Sequence, residues 1–433
     1  MLSFGRSASA SVSVKKKALK ESKCTLYRVL NGSPSQNMEK LVSLIGGMEK
    51  IIGPYDVVII KPNVQWWNQG APNLAALKTF VDIIMSHKDG FNGEVVIAEN
   101  CHRGSEPWNH AGWAHPFKWN SDLTGVSSMS DLARTLKHTY GNRYSTCHWI
   151  DVDEGARRVF NPQDGTGYVY CDGTGGVPNI SYDNGLQGNN RRSVIMTYPI
   201  FKTDKGTVVD LKNGVWEKDK YTGQPVKFIN FSALNHHSTY CGATSAVKNY
   251  LGISDLSGGA DPFNGGKLTE TSYNFHSFPF NEWTAGPKPG MIGGEIACFM
   301  NKIRKADLNI TTAEWVGLAS RTDPPMVKTK AVFACIDPVA LDYHSAKYLL
   351  YPNSKIAFHN PDNPESPLNQ YLVKCSEEDG GLFDESFVDV KSFDINSNSL
   401  QQDKDLVVAG DKVWGSDAKT IVKYLFFRYF YWG

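Results

Sequence analysis

The chain has 433 residues, 41% hydrophobic and 21% charged, the composition of a globular protein long enough for one large α/β domain with insertions or for two domains. Its 45 basic and 44 acidic residues leave a formal charge of +1, which argues against nucleic-acid binding, since that depends on neutralising phosphates. No two of the eight cysteines lie within four residues of each other, which excludes iron–sulfur and zinc-ribbon spacings.

The first 22 residues are rich in Ser and Lys and hold no apolar run of signal length. They read as a mobile tail of a cytoplasmic protein, with export the alternative if a leader was trimmed. No run in the chain is apolar for long enough to span a membrane. Residues 36–52 carry Met38, Leu41, Leu44, Ile45, Met48, Ile51 and Ile52 at helical spacing, stopped by Gly53-Pro54. VVIIK at 57–61 is an apolar run of the kind buried in parallel sheets. A helix over 73–87 and a second strand, EVVIA at 94–98, follow it. Strand–helix–strand order predicts right-handed crossovers and a mostly parallel sheet with flanking helices in Rossmann-like layers. Ligands bind beyond the carboxyl ends of such strands. Lys61, Asn63, Glu99, Asn100, His102 and Arg103 would share that rim.

Residues 104–125 form an aromatic insertion with Trp108, His110, Trp113, His115 and Trp119. A zinc set drawn from Cys101, His102, His110 and His115 matches no ligand spacing. A loop held down by its own aromatics is the simpler reading. A helix over 131–140, a strand over 148–152, and a Gly- and Asn-rich insertion over 154–192 come next. SVIMTYPIF at 193–201 reads as a third buried strand ending at Lys202. A second insertion, 204–231, contains a hairpin about Asn213-Gly214 and a strand at 226–231. Strands at 306–311 and 331–336 flank no dinucleotide or P-loop pattern. Asp337 fits a helix N-cap and Pro338 the first helical position. A cap does not explain Asp342 or His344. Residues 353–433 read as an extension packed on the 23–352 domain, with helices near 369–377 and 417–430.

The densest polar cluster is NHHSTYCGATSAVKNYLGISDL at 235–256. Gly242 reads as a hinge into a helix that starts near Ala243 or Thr244 and stops at Gly252. Thr244 and Lys248, four apart, would share one helix face. The free N–H groups of the first turn, with His236 and His237 just upstream, would suit an anion or a metal. The competing reading is a capped helix packed by its apolar face.

VVIIKPNV (57–64), GEVVIAEN (93–100), PIFK (199–202), GATSAVKNYLG (242–252), ADLNIT (306–311) and AVFACIDPVALD (331–342) together resemble the successive blocks of the domain of unknown function 362 family. The resemblance covers roughly residues 55–350, in order. Many members of that family carry a cysteine-rich ferredoxin-like module, and this chain has no such spacing. The family places a Lys-x-His just before its Thr-x-x-x-Lys-Asn block. Here Lys202 is followed by Thr203-Asp204, and either His236 or His237 would hold the family's position. Lactate-racemase-like proteins, with histidines around a nickel cofactor, offer a likeness of α/β organisation only.

Three functions compete. In the first, the chain is an enzyme acting on a small anionic or phosphorylated substrate. His236 or His237 and Lys248 are then catalytic, and Lys61, Asn63, Glu99, Lys202, Thr244, Asn249 and Asp337 bind substrate. In the second, His236, His237, Cys241 and Glu99 hold a metal or metallo-cofactor. Adjacent residues on an extended segment face opposite ways, which favours only one of the two histidines. In the third, the aromatic loops bind a ligand without chemistry. A small-molecule ligand is the expected partner; the sequence names no cofactor and no oligomeric state.

Overall fold

The computed structural model describes residues 23–100, 111–183, 185, 191–257, 271–276 and 289–429. The expected tail over 1–22, and Cys101, His102, Arg103, Trp108 and His110, lie outside the described residues. The organising element is a ten-stranded mixed sheet. Its strands are β1 (Cys24–Leu30), β2 (Val57–Pro62), β3 (Glu94–Asn100), β4 (Tyr144–Trp149), β5 (Val226–Ala233), β6 (Leu308–Gly317), β7 (Met326–Cys335), β8 (Val388–Asp394), β9 (Ser399–Gln401) and β10 (Asp411–Val413). The order is β9-β8-β1-β7-β6-β5-β2-β3-β4, with β10 also paired to β7.

From β6 through β5, β2 and β3 to β4 every pairing is parallel. β7 runs antiparallel to both its neighbours, β6 and β1. Strands β2 and β3 are buried along their whole length because each face is covered, which is why they read as unbroken apolar runs. On one face Val58, Ile60, Val95 and Ile97 meet Leu41 of α1 (Pro34–Ile45), Leu77 and Phe80 of α2 (Leu74–Met85) and Leu132 of α3 (Met129–Tyr140). On the other, Val57, Ile59, Val96 and Ala98 share a core with Val247 of α4 (Ala246–Asn249), Ile296 of α5 (Pro289–Lys302), Leu341 of α6 (Pro338–Ser345) and Leu372 of α7 (Pro367–Glu377). The helices end where local chemistry ends them. Ser33 and Gln36 close a capping box at the start of α1, and Gly46 ends it with a left-handed φ of 97°, earlier than periodicity alone predicts.

Three expectations change. The 193–202 run is not in the parallel sheet. It divides into Ser193–Ile195 and Thr197–Lys202, and the second piece pairs antiparallel with Gly167–Tyr170 and Val208–Asp210 in a separate six-stranded sheet. The hairpin at Asn213-Gly214 forms as expected, with Val208–Asp210 against Gly214–Glu217, and it supplies the second of those partners. Second, β5 is no part of an insertion: it sits between β2 and β6 at the centre of the main sheet. Third, the region after 352 does more than pack on the domain. β8 pairs with β1 in parallel, and β10 pairs with β7. Among the described residues no helix is long and apolar enough to cross a membrane.

Candidate functional site

The polar cluster at 235–256 folds as a hairpin and then a helical turn, continued by a 3-10 turn over Tyr250–Gly252 that stops at Gly252 as expected. Asn235–His236 pairs with Ala243–Thr244, and Gly242 turns the chain at φ 76°. This pairing holds Thr244 in a strand, so α4 starts at Ala246 and the shared helix face of Thr244 and Lys248 does not exist. Ser245 at the N-cap makes no side-chain cap bond. The cap comes from Asp342 on α6, whose carboxylate oxygens accept from Ala246 N at 2.7 Å and Val247 N at 2.9 Å. Burial pushes this carboxyl up to about 7, against the pull of those two N–H groups. Asp342 is thus the residue that positions Lys248 and Asn249.

Beneath α4 a polar row crosses the sheet. Lys61, Asn230 and Asn309 are register partners on β2, β5 and β6. Lys61 Nζ donates to Asn249 Oδ1 at 2.6 Å, Pro62 O at 2.9 Å and Glu99 Oε1 at 3.0 Å. Asn249 Nδ2 donates back to Lys61 O and to Asn230 Oδ1, and Asn230 Nδ2 reaches Asn309 Oδ1. Burial lifts the Glu99 carboxyl to about 7 although the Lys61 ammonium opposes it. Gly252 makes room for this pair: a Cβ there would stand 2.7 Å from Lys61 Nζ and 2.9 Å from Glu99 Oε1.

Above the row lies a cleft of about 580 Å³, its open mouth included. Of the expected site residues, Lys61, Asn63, Glu99, Thr244, Lys248 and Asn249 line it. Several of these have structural duties. Asn63 donates to Gly70 O and accepts from Ala233 N, and the ammonium of Lys61 already has three acceptors. The other four expected residues are elsewhere. Lys202 is exposed at the end of a strand in the second sheet. Asp337 caps α6, accepting from Ala340 N and Leu382 N. His236 is buried against Phe358 and Phe427, with Nδ1 3.1 Å from His359 Nε2. His237 turns away from it toward Tyr240 and accepts from Ser238 N. Burial, reinforced by His359 at the first and by Lys248 at the second, holds both imidazoles well below their usual range.

Two titratable cleft residues were not anticipated. Arg321 lies in the loop between β6 and β7, held by Asn68 donating to Thr322 O at 2.8 Å and Gln69 to Asp323 O at 3.0 Å. Its guanidinium rests 4.8 Å from the centre of the Trp66 ring. His276 brings its Nε2 to 3.4 Å from Lys248 Nζ. Nothing near Arg321 in the sequence marks it, because loops whose contacting residues are 254 apart in the chain meet only in the fold. Lys248 is 7% exposed, and neither it nor Arg321 forms a salt bridge among the described residues. Burial lowers Lys248 to about 8, with Arg321 and Lys61 pushing the same way. Glu295 on α5 is fully buried, and neither of its carboxyl oxygens has a hydrogen-bond partner among the described residues. Burial raises it well above the usual carboxylate range, with Lys248 opposing.

The cleft can therefore do two things chemically. It can hold an anion against two cations, and it can exchange a proton near neutral pH through Lys248. The expected metal donors do not come together: Glu99 is paired with Lys61, the Cys241 thiol donates to Ala243 O, and His236 and His237 diverge. Among the described residues no group of three His, Cys, Asp or Glu side chains converges. Compared with family models, curated proteins and solved structures, the chain gives no match.

Proposed function

We propose that the chain is an enzyme acting on a small anionic substrate, a carboxylate or phosphate ester, in this cleft. The observation that carries the reading is the pair of cations, Lys248 and Arg321, that line the cleft and form no salt bridge among the described residues. Arg321, set by the Trp66 ring and the loop bonds behind it, binds an anionic oxygen. Lys248 has an accessible neutral form near pH 8 and takes or returns a proton at the reacting atom. His276, beside its Nζ, is placed to pass that proton on. Lys61, Glu99 and Asn249 form the scaffold beneath, adding charge and not direct contact.

The same reading makes the chain a relative of the domain of unknown function 362 family, with Rossmann-like layering. What supports this is that the blocks resembling that family meet in space. The first, second and fourth line the cleft, the fifth supplies Asn309 and the sixth Asp342; the PIFK block stands apart.

The test has two arms. Thermal unfolding at pH 7 in inorganic phosphate or citrate is expected to shift upward, and the shift to vanish in Arg321→Met and Lys248→Met. A screen of phosphate monoesters and small carboxylic acids is expected to yield turnover that Lys248→Met abolishes. If both variants respond to every anion as the parent does, the cleft is not the site.

A further inference from the structure

The last helix, α8 (Ala418–Tyr429), has two apolar stripes. One faces the protein. Tyr424 is fully buried and donates to Ser354 O at 3.0 Å, and Phe427 packs on His236 and Phe358. The other faces out. Val422, Leu425, Phe426 and Tyr429 follow the i, i+3, i+4, i+7 spacing of a single helix face and are 63%, 39%, 50% and 56% exposed. Trp414, 49% exposed, stands beside the helix with its ring edge-on to Tyr424. Isolated exposed apolar residues need no explanation, but a continuous stripe on a helix already anchored by its other face does.

Charge decides what covers it. From 411 to 429 the chain has Lys412, Lys419, Lys423 and Arg428 against Asp411 and Asp417. Asp417 is engaged at the start of α8, accepting from Lys419 N and Thr420 N. Lys412, Lys419 and Lys423 are exposed, as is Lys355 nearby. Burial lowers Lys412, and Arg428 and Lys355 add to the effect, so these cations stand in one field. Burial likewise lowers Lys423, with Arg321 and then Lys419 reinforcing it. A two-fold contact between copies would set this basic rim against itself, because such an interface presents the same patch from both sides. An anionic lipid surface complements both features: phosphate groups for the rim, the acyl boundary for the stripe, and the interfacial depth that Trp and Tyr favour.

We infer that the outer stripe of α8 docks the protein on an anionic bilayer, with the helix lying in the plane of the headgroups. With one short helix the attachment is reversible and requires the negative charge.

Flotation of the full chain with vesicles tests this, using phosphatidylcholine with about 30% phosphatidylserine against phosphatidylcholine alone. The chain is expected to float with the anionic vesicles only, and to be released at about 1 M salt, where the screening length falls to about 3 Å. Leu425→Ser with Phe426→Ser is expected to lower the bound fraction about tenfold, as is Lys419→Glu with Lys412→Glu, on the order of the loss given by removing two anchoring side chains. Urea unfolding that matches the parent shows that the variants fold. Three results overturn the inference: no flotation with either vesicle, undiminished flotation of the serine variant, or a lipid-free dimer in sedimentation that the serine variant dissociates.

Discussion

Lys248 loses hydration on folding and gains no salt bridge among the described residues, with the buried Glu295 carboxyl opposing the effect of burial. Its folded pKa of about 8 lies below the ordinary 10.5, so between those values the unfolded chain binds more protons and stability rises with pH. Below pH 8 the destabilisation is fully present, on the order of 3 kcal/mol. Lys248→Met is therefore expected to stabilise the ligand-free protein at pH 7 by up to that order while removing anion binding. Urea unfolding at pH 7 and pH 10 checks both the gain and its disappearance. An anion bound against Lys248 restores its charge, so phosphate binding at pH 8.5 in weak buffer should take up a fraction of a proton. Calorimetry in buffers of different ionisation enthalpy reads that uptake. Asp342→Asn removes one of two acceptors at the start of α4, and is expected to cost about 1–3 kcal/mol and the phosphate response together. The chemistry of these residues was only partly legible in the sequence. Lys61, Glu99 and Lys248 stand out as charges at the ends of apolar runs or in a dense polar stretch. Arg321 and the capping role of Asp342 depend on partners far away in the chain, and periodicity carries no trace of them.

Among elements, α4 and the row beneath it act as one unit. A four-residue helix has too few internal hydrogen bonds to hold its own shape, so its geometry comes from Asp342 at one end and Asn249 locked to Lys61 and Asn230 along its side. Gly252 is the tightest point of that unit. Gly252→Ala is expected to force Lys61 off Glu99 and lower stability by about 1–3 kcal/mol, measured by thermal unfolding. Pairing with Lys61→Met, which removes the ammonium, should make the two losses less than additive. The strands that carry the row were readable because burial on both faces demands unbroken apolar runs, as in 57–61 and 94–98. The 193–202 run obeys the same composition and belongs to another sheet. An apolar strand does not state its partners, and the Asn213-Gly214 hairpin, read correctly in itself, was the clue to where that strand would pair.

In the whole molecule, the C-terminal region completes the sheet. β8 covers β1, and without it β1 would present a free edge to other chains. A chain ending at residue 352 is expected to aggregate on expression, with size-exclusion chromatography separating that outcome from a soluble domain. The α/β class was legible from the alternation of strands and helices. The place of β1 was not, because it depends on β7 and β8, which follow by hundreds of residues.

The cap of α4 also orders events in time. Asp342 follows Ala246 by 96 residues. At a synthesis rate of roughly 5–20 residues per second, Lys248 is made about 5–20 s before the carboxylate that fixes it exists. Through that interval the nascent cleft has its lysine but not its geometry, so the anion binding proposed for it is expected to begin only after α6 has emerged and folded back. The chain's own length would then act as a clock on when the proposed chemistry starts.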